Sequence, residues 1–142
     1  MDDTELNKSI LSLDVGTVRI GLSIASRLNY LTRILPAILN DDNFASNLES
    51  IIIQENIDSL VVGLPRNLSG EKTKQTIYVE EFVDQKLKIF NLPVFFQDES
   101  LTSVKAEEIL RNYKKQYTKA DIDSMSALLI LEDYLKSLDD KK

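Results

Sequence analysis

Acidic residues stand at three places in this chain where a metal-dependent hydrolase could use them. Asp14 ends an apolar stretch, and Asp123 lies within the last apolar segment. Asp98 and Glu99 follow another apolar run, and because strand residues alternate between faces, at most one of them can join the same site. Carboxylate oxygens suit Mg²⁺ or Mn²⁺, and two such ions about 4 Å apart can activate a water and stabilise the leaving oxygen of a phosphodiester.

The last segment predicts which of its two aspartates faces the core. Asp121 and Asp123 are two residues apart, about 200° around a helix, so they cannot share a face. Asp123 is in line with the apolar residues Ala127 and Leu131, whereas Asp121 suits the N-cap just before Ile122. We therefore expect Asp123 to face the sheet, where a buried carboxylate needs a partner.

The 142-residue chain contains neither Cys nor His, and this narrows the possible chemistry. Without Cys there can be no disulfide, thiolate zinc site or cysteine nucleophile. Without His there can be no Ser-His-Asp triad and no imidazole base. A site of three carboxylates with a divalent metal needs neither residue, so the composition favours it.

Charge and hydropathy indicate where the protein works and how it would hold a partner. The net charge of −6 argues against a surface that binds nucleic acid all over, so such a partner would have to be held locally. Part of the acidity lies in the ends, about 1–7 and 138–142, which we expect to be disordered tails. The acidic N-terminus and the absence of an apolar stretch near 20 residues predict a soluble cytoplasmic protein without a membrane partner.

Hydrophobic periodicity predicts an α/β domain that spans residues 1–142, with element order βββαβαβαα. Apolar patterns indicate strands at 9–15, 19–25, 32–39, 59–63 and 94–97, and helices at 44–54, around 79–90, around 104–113 and at 122–138. Gly16 and Thr17 are typical of a type II′ hairpin turn between the first two strands. Three meandering strands followed by two crossover strands make a five-stranded mixed sheet, with helices on both faces.

Four stretches of the chain carry a family resemblance. They are LDVGTVRIG at 13–21, VVGLPRNLSG at 61–70, DESLTS at 98–103 and KADIDSMSALLILE at 119–132. In this order they resemble the motifs of the YqgF/RuvX family, and the match spans almost the whole chain. The resemblance implies a ribonuclease-H-like fold and a bacterial nuclease.

The resemblance also implies a site and a function. It implies that Asp14, Glu99 and Asp123 are the catalytic and metal-binding residues, with Asp98 a weaker candidate, and that two Mg²⁺ or Mn²⁺ ions are bound. The implied reaction is processing of the 5′ end of pre-16S rRNA in ribosome biogenesis, with the ribosomal precursor particle as a partner. The alternatives are a Holliday-junction resolvase and a non-catalytic nucleic-acid-binding module associated with ribosomes or transcription. The protein would be a monomer or a homodimer, and two symmetric cuts in a junction would require a dimer.

Departures from the family pattern concern the contacts to nucleic acid. The family usually has Arg after its Asp-Glu pair, where this chain has Ser100, so Arg66 or Lys119 would have to supply that cation. Asn67 begins a loop, Asn-Leu-Ser-Gly, which could either shape a turn or contact phosphate. The predicted contacts to nucleic acid are Arg19, Arg66, Asn67 and Lys119.

Overall fold

The computed structural model describes residues 7–99, 102–113 and 116–139; Glu99, Thr102 and Ser103 are described by their backbone alone. The strands are β1 (Ser9–Val15), β2 (Arg19–Ser26), β3 (Thr32–Leu39), β4 (Ile57–Pro65) and β5 (Val94–Glu99). The α-helices are α1 (Phe44–Gln54), α2 (Lys74–Phe82), α3 (Thr102–Tyr113) and α4 (Lys119–Asp139). The predicted order βββαβαβαα is confirmed.

The five strands form one mixed sheet in the order β3-β2-β1-β4-β5. β1 is antiparallel to β2, and β2 is antiparallel to β3. β1, β4 and β5 run parallel to one another, so their carboxyl ends meet at one edge of the sheet. The order of the strands reverses beside β1, and in open α/β sheets ligands bind beyond such a point.

Helices cover both faces of this sheet, as predicted. On one face, Leu13 belongs to the larger apolar cluster with α1 and α2, where the rings of Phe44 and Phe82 meet edge to face with centroids 5.1 Å apart. On the other face, Ile10 packs with Leu131 of α4. Alternate residues of β1 therefore contact different helices, because successive strand side chains point to opposite faces.

The connection between β1 and β2 differs from the expected type II′ turn. Such a turn needs a positive φ at its first loop residue, and among the described glycines only Gly70 has one, at 79°. Gly16 instead donates its N–H to the carbonyl of Arg19 at 3.0 Å, which leaves Thr17 and Val18 between them. A Cβ on Gly16 would lie 2.7 Å from that carbonyl oxygen, so close approach, and not a positive φ, requires glycine here.

The predicted helix around 79–90 is not one continuous α-helix. After α2 ends at Phe82, the chain forms a π-helical turn, Val83–Leu87, and a short 3-10 turn, Lys88–Phe90. The buried residues Val79, Val83 and Leu87 are spaced by four, a spacing that drifts by about 40° per step around an α-helix. The wider π turn keeps these side chains on the sheet.

Helix α4 begins earlier than predicted, at Lys119, because Thr118 and not Asp121 is its cap. The Thr118 hydroxyl accepts the N–H of Asp121 at 3.1 Å, and the Asp121 carboxylate accepts the N–H of Thr118 at 2.9 Å. This reciprocal pair is a capping box, in which the acid occupies the third helical position. The N-cap predicted at Asp121 is therefore wrong, although the acid does satisfy an N–H at the helix start.

Some residues that the sequence places in disordered tails belong to ordered structure. Asn7 lies in a turn, and its carbonyl accepts the side-chain amide of Asn56 at 3.3 Å. Residues 138 and 139 belong to α4 rather than to a tail, and 1–6 and 140–142 lie outside the described residues. None of the helices that the structure describes is both long enough and apolar enough to cross a bilayer.

Candidate metal and nucleic-acid site

Asp14 lies at the carboxyl end of β1, half-buried, and pairs in register with Gly21 of β2. It has the same strand parity as Ser12, whose hydroxyl donates to the carbonyl of Ala127 in α4 at 2.7 Å. Strand alternation therefore puts Asp14 on the face that α4 covers.

Gly21 brings the second turn of α4 against the sheet beside Asp14. A Cβ on Gly21 would lie only 1.9 Å from the carbonyl oxygen of Asp123 and 2.9 Å from the nitrogen of Ser124. The Ser124 hydroxyl also donates to the carbonyl of Leu35 in β3 at 2.9 Å, which fixes this turn to the sheet. The sequence analysis gave Gly21 no role, although a glycine inside a strand is typical of close backbone approach.

The Asp123 carboxylate faces the sheet and is held there by Arg19. Arg19 Nε donates to Asp123 Oδ2 at 2.8 Å, and both side chains are 26% exposed. A residue predicted to contact nucleic acid thus neighbours one predicted to bind metal. The two lie 104 positions apart in the chain.

Asp98 and Glu99 both lie within β5, so they occupy opposite faces, as alternation predicts. Position 99 has the parity of Phe95, whose ring meets Tyr134 of α4 with centroids 5.9 Å apart. Asp98 is on the other face, where its carboxylate accepts Arg66 Nε at 3.0 Å. The register therefore disfavours Asp98 as a partner of Asp14, whereas the side chain of Glu99 lies outside the described part of the chain.

The loop after β4 is built by its own polar groups. Arg66 donates to the carbonyl of Gly70 at 3.2 Å as well as to Asp98. The Asn67 side-chain oxygen accepts the N–H groups of Ser69 and Glu71, at 3.0 and 2.8 Å. Of the two roles left open for Asn67, these contacts show the one that shapes the turn.

Lys119, the remaining predicted contact to nucleic acid, lies at the surface. Lys119 is exposed at the first position of α4, at the end of the helix that carries Asp123. Ser100, where the family usually has Arg, lies outside the described residues.

Asn40, which the sequence analysis missed, supports the turn that follows Asp14. Its amide donates to the carbonyl of Gly16 and to the Tyr78 hydroxyl, both at 2.9 Å, and its oxygen accepts Lys86 Nζ at 3.3 Å. The contacts join the turn to α2 and to the π-helical turn on the far face of the sheet. An asparagine just after a strand gives no signal for such long-range bonds.

The donor set fits a hard divalent cation. Asp14 and Asp123 offer carboxylate oxygens on one face and at one edge of the sheet, without the nitrogen or sulfur ligands that favour zinc. Within residues 7–98, 102–113 and 116–139, no three acidic side chains lie close enough together to hold an ion. A third ligand would have to come from elsewhere, and position 99 is at the same edge and, by parity, on the same face.

The chain is similar to known proteins over most of its length. The family model for RuvX, described as Holliday junction resolvase, matches residues 8–137. The chain belongs to the RuvX family. A relative from Mycoplasma mobile is 34% identical over 131 residues, which cover 89% of this chain and 91% of the relative. One from Koribacter versatilis is 39% identical over 131 residues, covering 89% and 86%, and both are named "Putative pre-16S rRNA nuclease".

Solved structures share the fold of this RuvX chain. RuvC of T. thermophilus, in complex with a Holliday junction substrate, matches with a TM-score of 0.52 at 12% identity, covering 92% of this chain and 96% of RuvC. The Fowlpox virus resolvase, in complex with Holliday junction DNA, matches with 0.53 at 14%, covering 92% and 98%. The predicted ribonuclease-H-like fold is confirmed. The RuvX description and the names of the relatives also agree with the predicted enzyme class, a hydrolase of the nuclease type.

Proposed function

We propose that this chain is a metal-dependent nuclease that hydrolyses phosphodiester bonds at the 5′ end of pre-16S rRNA. The observation that carries the proposal is the contact of Gly21 with the backbone of Asp123, which puts a second acid beside Asp14. Both acids lie at the edge of the sheet where open α/β proteins bind ligands. The names of the relatives support the choice of substrate.

In this proposal Asp14, Asp123 and Glu99 hold Mg²⁺ or Mn²⁺, most simply as two ions. The ions would supply an activated water and stabilise the leaving oxygen. The fold positions Asp14 and Asp123 before any ion binds. β1 positions Asp14, and the capping box with the Gly21 contact positions Asp123.

Nucleic acid would be held by the cations around this edge. Arg19 pairs with Asp123, and Lys119 lies on the helix that carries Asp123. Arg66 is instead engaged by Asp98 and Gly70, and Asn67 is engaged within its own loop. We propose Arg19 and Lys119 as the main phosphate contacts. Arg66 and Asn67 would then act by shaping the rim. Such a substrate would place the enzyme with the ribosomal precursor particle in the cytoplasm.

The description of the family supports Holliday-junction cleavage as the second candidate. Purified protein with Mg²⁺ or Mn²⁺ should be tested side by side on a precursor rRNA 5′ segment and on a four-way junction. We expect cleavage of the rRNA segment, and symmetric cuts in the junction by a dimer would favour the resolvase instead. Binding without cleavage, sensitive to basic residues and not to the acids, would favour the non-catalytic module.

An Asp14→Asn variant tests the role of the metal in the same assay. We expect a loss of cleavage of about a hundredfold or more, since removing a group that only hydrogen-bonds to a metal ligand already costs about 10–100-fold. Asp84→Asn is the control, because Asp84 is an exposed acid that pairs with Lys88 at 2.8 Å. Full magnesium-dependent activity of Asp14→Asn would refute the proposed metal site.

A further inference from the structure

The Arg19–Asp123 ion pair joins a cation suited to phosphate with a carboxylate suited to metal. We propose that Arg19 is a substrate-binding residue which Asp123 holds until a divalent ion takes its place. Binding of the ion at Asp123 would release the guanidinium to the phosphate being cleaved. The inference rests on the proposed function, since it requires that Asp123 is a metal ligand.

The geometry lets one cation replace the other. Arg19 Nε donates to Asp123 Oδ2 at 2.8 Å, so the guanidinium occupies one of the two oxygens with which this carboxylate could coordinate an ion. A guanidinium and a divalent ion repel each other at such a distance. The two therefore compete for Asp123, and by linkage each weakens the binding of the other.

Arg19 can also move at low cost. It is the first residue of β2, directly after the turn, and its side chain is 26% exposed. Arg19 and Gly21 are two residues apart in β2 and therefore lie on the same face of the sheet. Gly21 has no side chain, and the backbone of Asp123 fills the space beside it. A released guanidinium would thus remain on the face that carries Asp14. Its planar set of donors matches phosphate oxygens.

The chain contains a matched pair for comparison. Arg27 Nε meets Asp58 Oδ2 at 2.6 Å, and these side chains are 31% and 28% exposed. Arg27 follows β2 at the opposite end, so its removal takes away the same charge and the same kind of ion pair far from Asp14. An effect on metal binding specific to the Arg19 pair can therefore be separated from a general effect of charge.

The first experiment measures Mn²⁺ binding by electron paramagnetic resonance, without substrate, for the full chain and three variants. We expect Arg19→Gln to bind Mn²⁺ about fivefold more tightly, the size of a partly exposed ion pair. Arg19→Lys should fall between it and the unchanged protein, and Arg27→Gln should match the unchanged protein within about twofold. Equal or weaker binding by Arg19→Gln would overturn the inference.

The second experiment measures binding and cleavage of the rRNA segment at saturating Mg²⁺. Arg19→Gln should raise KM about tenfold, within the range for a lost charge-assisted hydrogen bond, while Arg27→Gln leaves KM unchanged. An unchanged KM and kcat in Arg19→Gln would overturn the role of Arg19 in substrate binding. If the unchanged protein bound no Mn²⁺, both the proposed function and this inference would fail. If it bound Mn²⁺ and cleaved while Arg19→Gln behaved identically, only this inference would fail.

Discussion

The two ends of the sheet each carry an arginine–aspartate pair of almost the same geometry, yet their surroundings differ. At one end Arg19 meets Asp123 at 2.8 Å, and at the other Arg27 meets Asp58 at 2.6 Å. Both pairs are about a quarter to a third exposed. The difference between them therefore lies in what each pair touches.

The Asp58 pair belongs to a closed network. Arg27 Nη2 donates to the Ser59 hydroxyl at 3.0 Å, and that hydroxyl lies 3.2 Å from Asp58 Oδ1. The hydrogen bond to Asp58 raises the pKa of Arg27, so the cation is firmly held. All three groups satisfy one another, which is what a structural ion pair requires.

The Asp123 pair lies instead beside another acid, where Gly21 brings two backbones together. Arg19 lies there at the edge that also contains Asp14, and we propose that this edge takes a divalent cation. Under this proposal, similar ion pairs serve stability at one end of the sheet and chemistry at the other. Their neighbours decide the role.

The largest expected effect comes from a substitution at the end of the sheet that carries the Arg19–Asp123 pair. Gly21→Ala should destabilise the fold by about 3 kcal/mol, the upper part of the usual range for overpacking, because the new Cβ meets backbone that cannot rotate away. Urea denaturation measures this free energy of unfolding. Gly16→Ala, whose Cβ would lie 2.7 Å from the Arg19 carbonyl, should cost less. A loss under about 0.5 kcal/mol in Gly21→Ala would show that α4 does not press on β2 here.

The next largest effect comes from a substitution at the end of the sheet that carries the Arg27–Asp58 pair. Arg27→Gln should lower the free energy of unfolding by about 1–2 kcal/mol, because Asp58 and Ser59 both lose their guanidinium donor. Arg19→Gln should cost about half as much, since Asp123 loses one described donor. Equal losses in urea denaturation would contradict the distinction between a structural and a functional pair.

A smaller effect concerns the support of the turn after Asp14. Asn40→Ala should destabilise the fold by about 1 kcal/mol, because the Gly16 carbonyl and Lys86 lose their partner. Asn29→Ala is the matched control at the other end, where the exposed Asn29 oxygen accepts the N–H of Leu31. Its cost should stay below about 0.5 kcal/mol. If thermal unfolding showed Asn29→Ala to be less stable than Asn40→Ala, the proposed support of the turn by Asn40 would be rejected.

The smallest effect is a pH dependence near the Asp58 end. Burial raises the pKa of the Tyr134 phenol above 10.0, although the charge of Arg27 partly opposes this. The phenol then ionises more easily in the unfolded chain, so stability is lost as the pH rises through 10 and beyond. Tyr134→Phe should make the fall in unfolding free energy between pH 9 and 10.5 shallower. Identical slopes in urea denaturation would contradict this.

Much of the fold could be predicted because its signals are local. The bounds of β3 and α1 agree with the apolar spacing, and both Asp98 and Glu99 lie within β5. The start of α4 was missed because both Thr118 and Asp121 are good capping residues, and only the bonds between them show which one caps. The π-helical turn was missed because a spacing of four is also compatible with an α-helix.

The candidate acids could be named from the sequence, whereas the partners of these acids could not. Asp14 and Asp123 stand out by their place in a strand and on an apolar stripe, and the motifs added Glu99. The pairing of Arg19 with Asp123 joins residues 104 positions apart, and no local pattern encodes such a contact. The use of Arg66 to bind Asp98 and Gly70 depends likewise on how β4 and β5 are aligned.

The most direct test compares Asp123→Asn with Asp58→Asn in magnesium-dependent cleavage of the rRNA segment. Both variants remove one carboxylate charge from an arginine pair of the same geometry. We predict that Asp123→Asn remains folded and loses cleavage by about a hundredfold or more. Removing a group that only hydrogen-bonds to a metal ligand typically costs about 10–100-fold. Asp58→Asn should keep its cleavage rate within about twofold while losing stability. Equal rates in the two folded variants would contradict the assignment of the Asp123 end as the catalytic site.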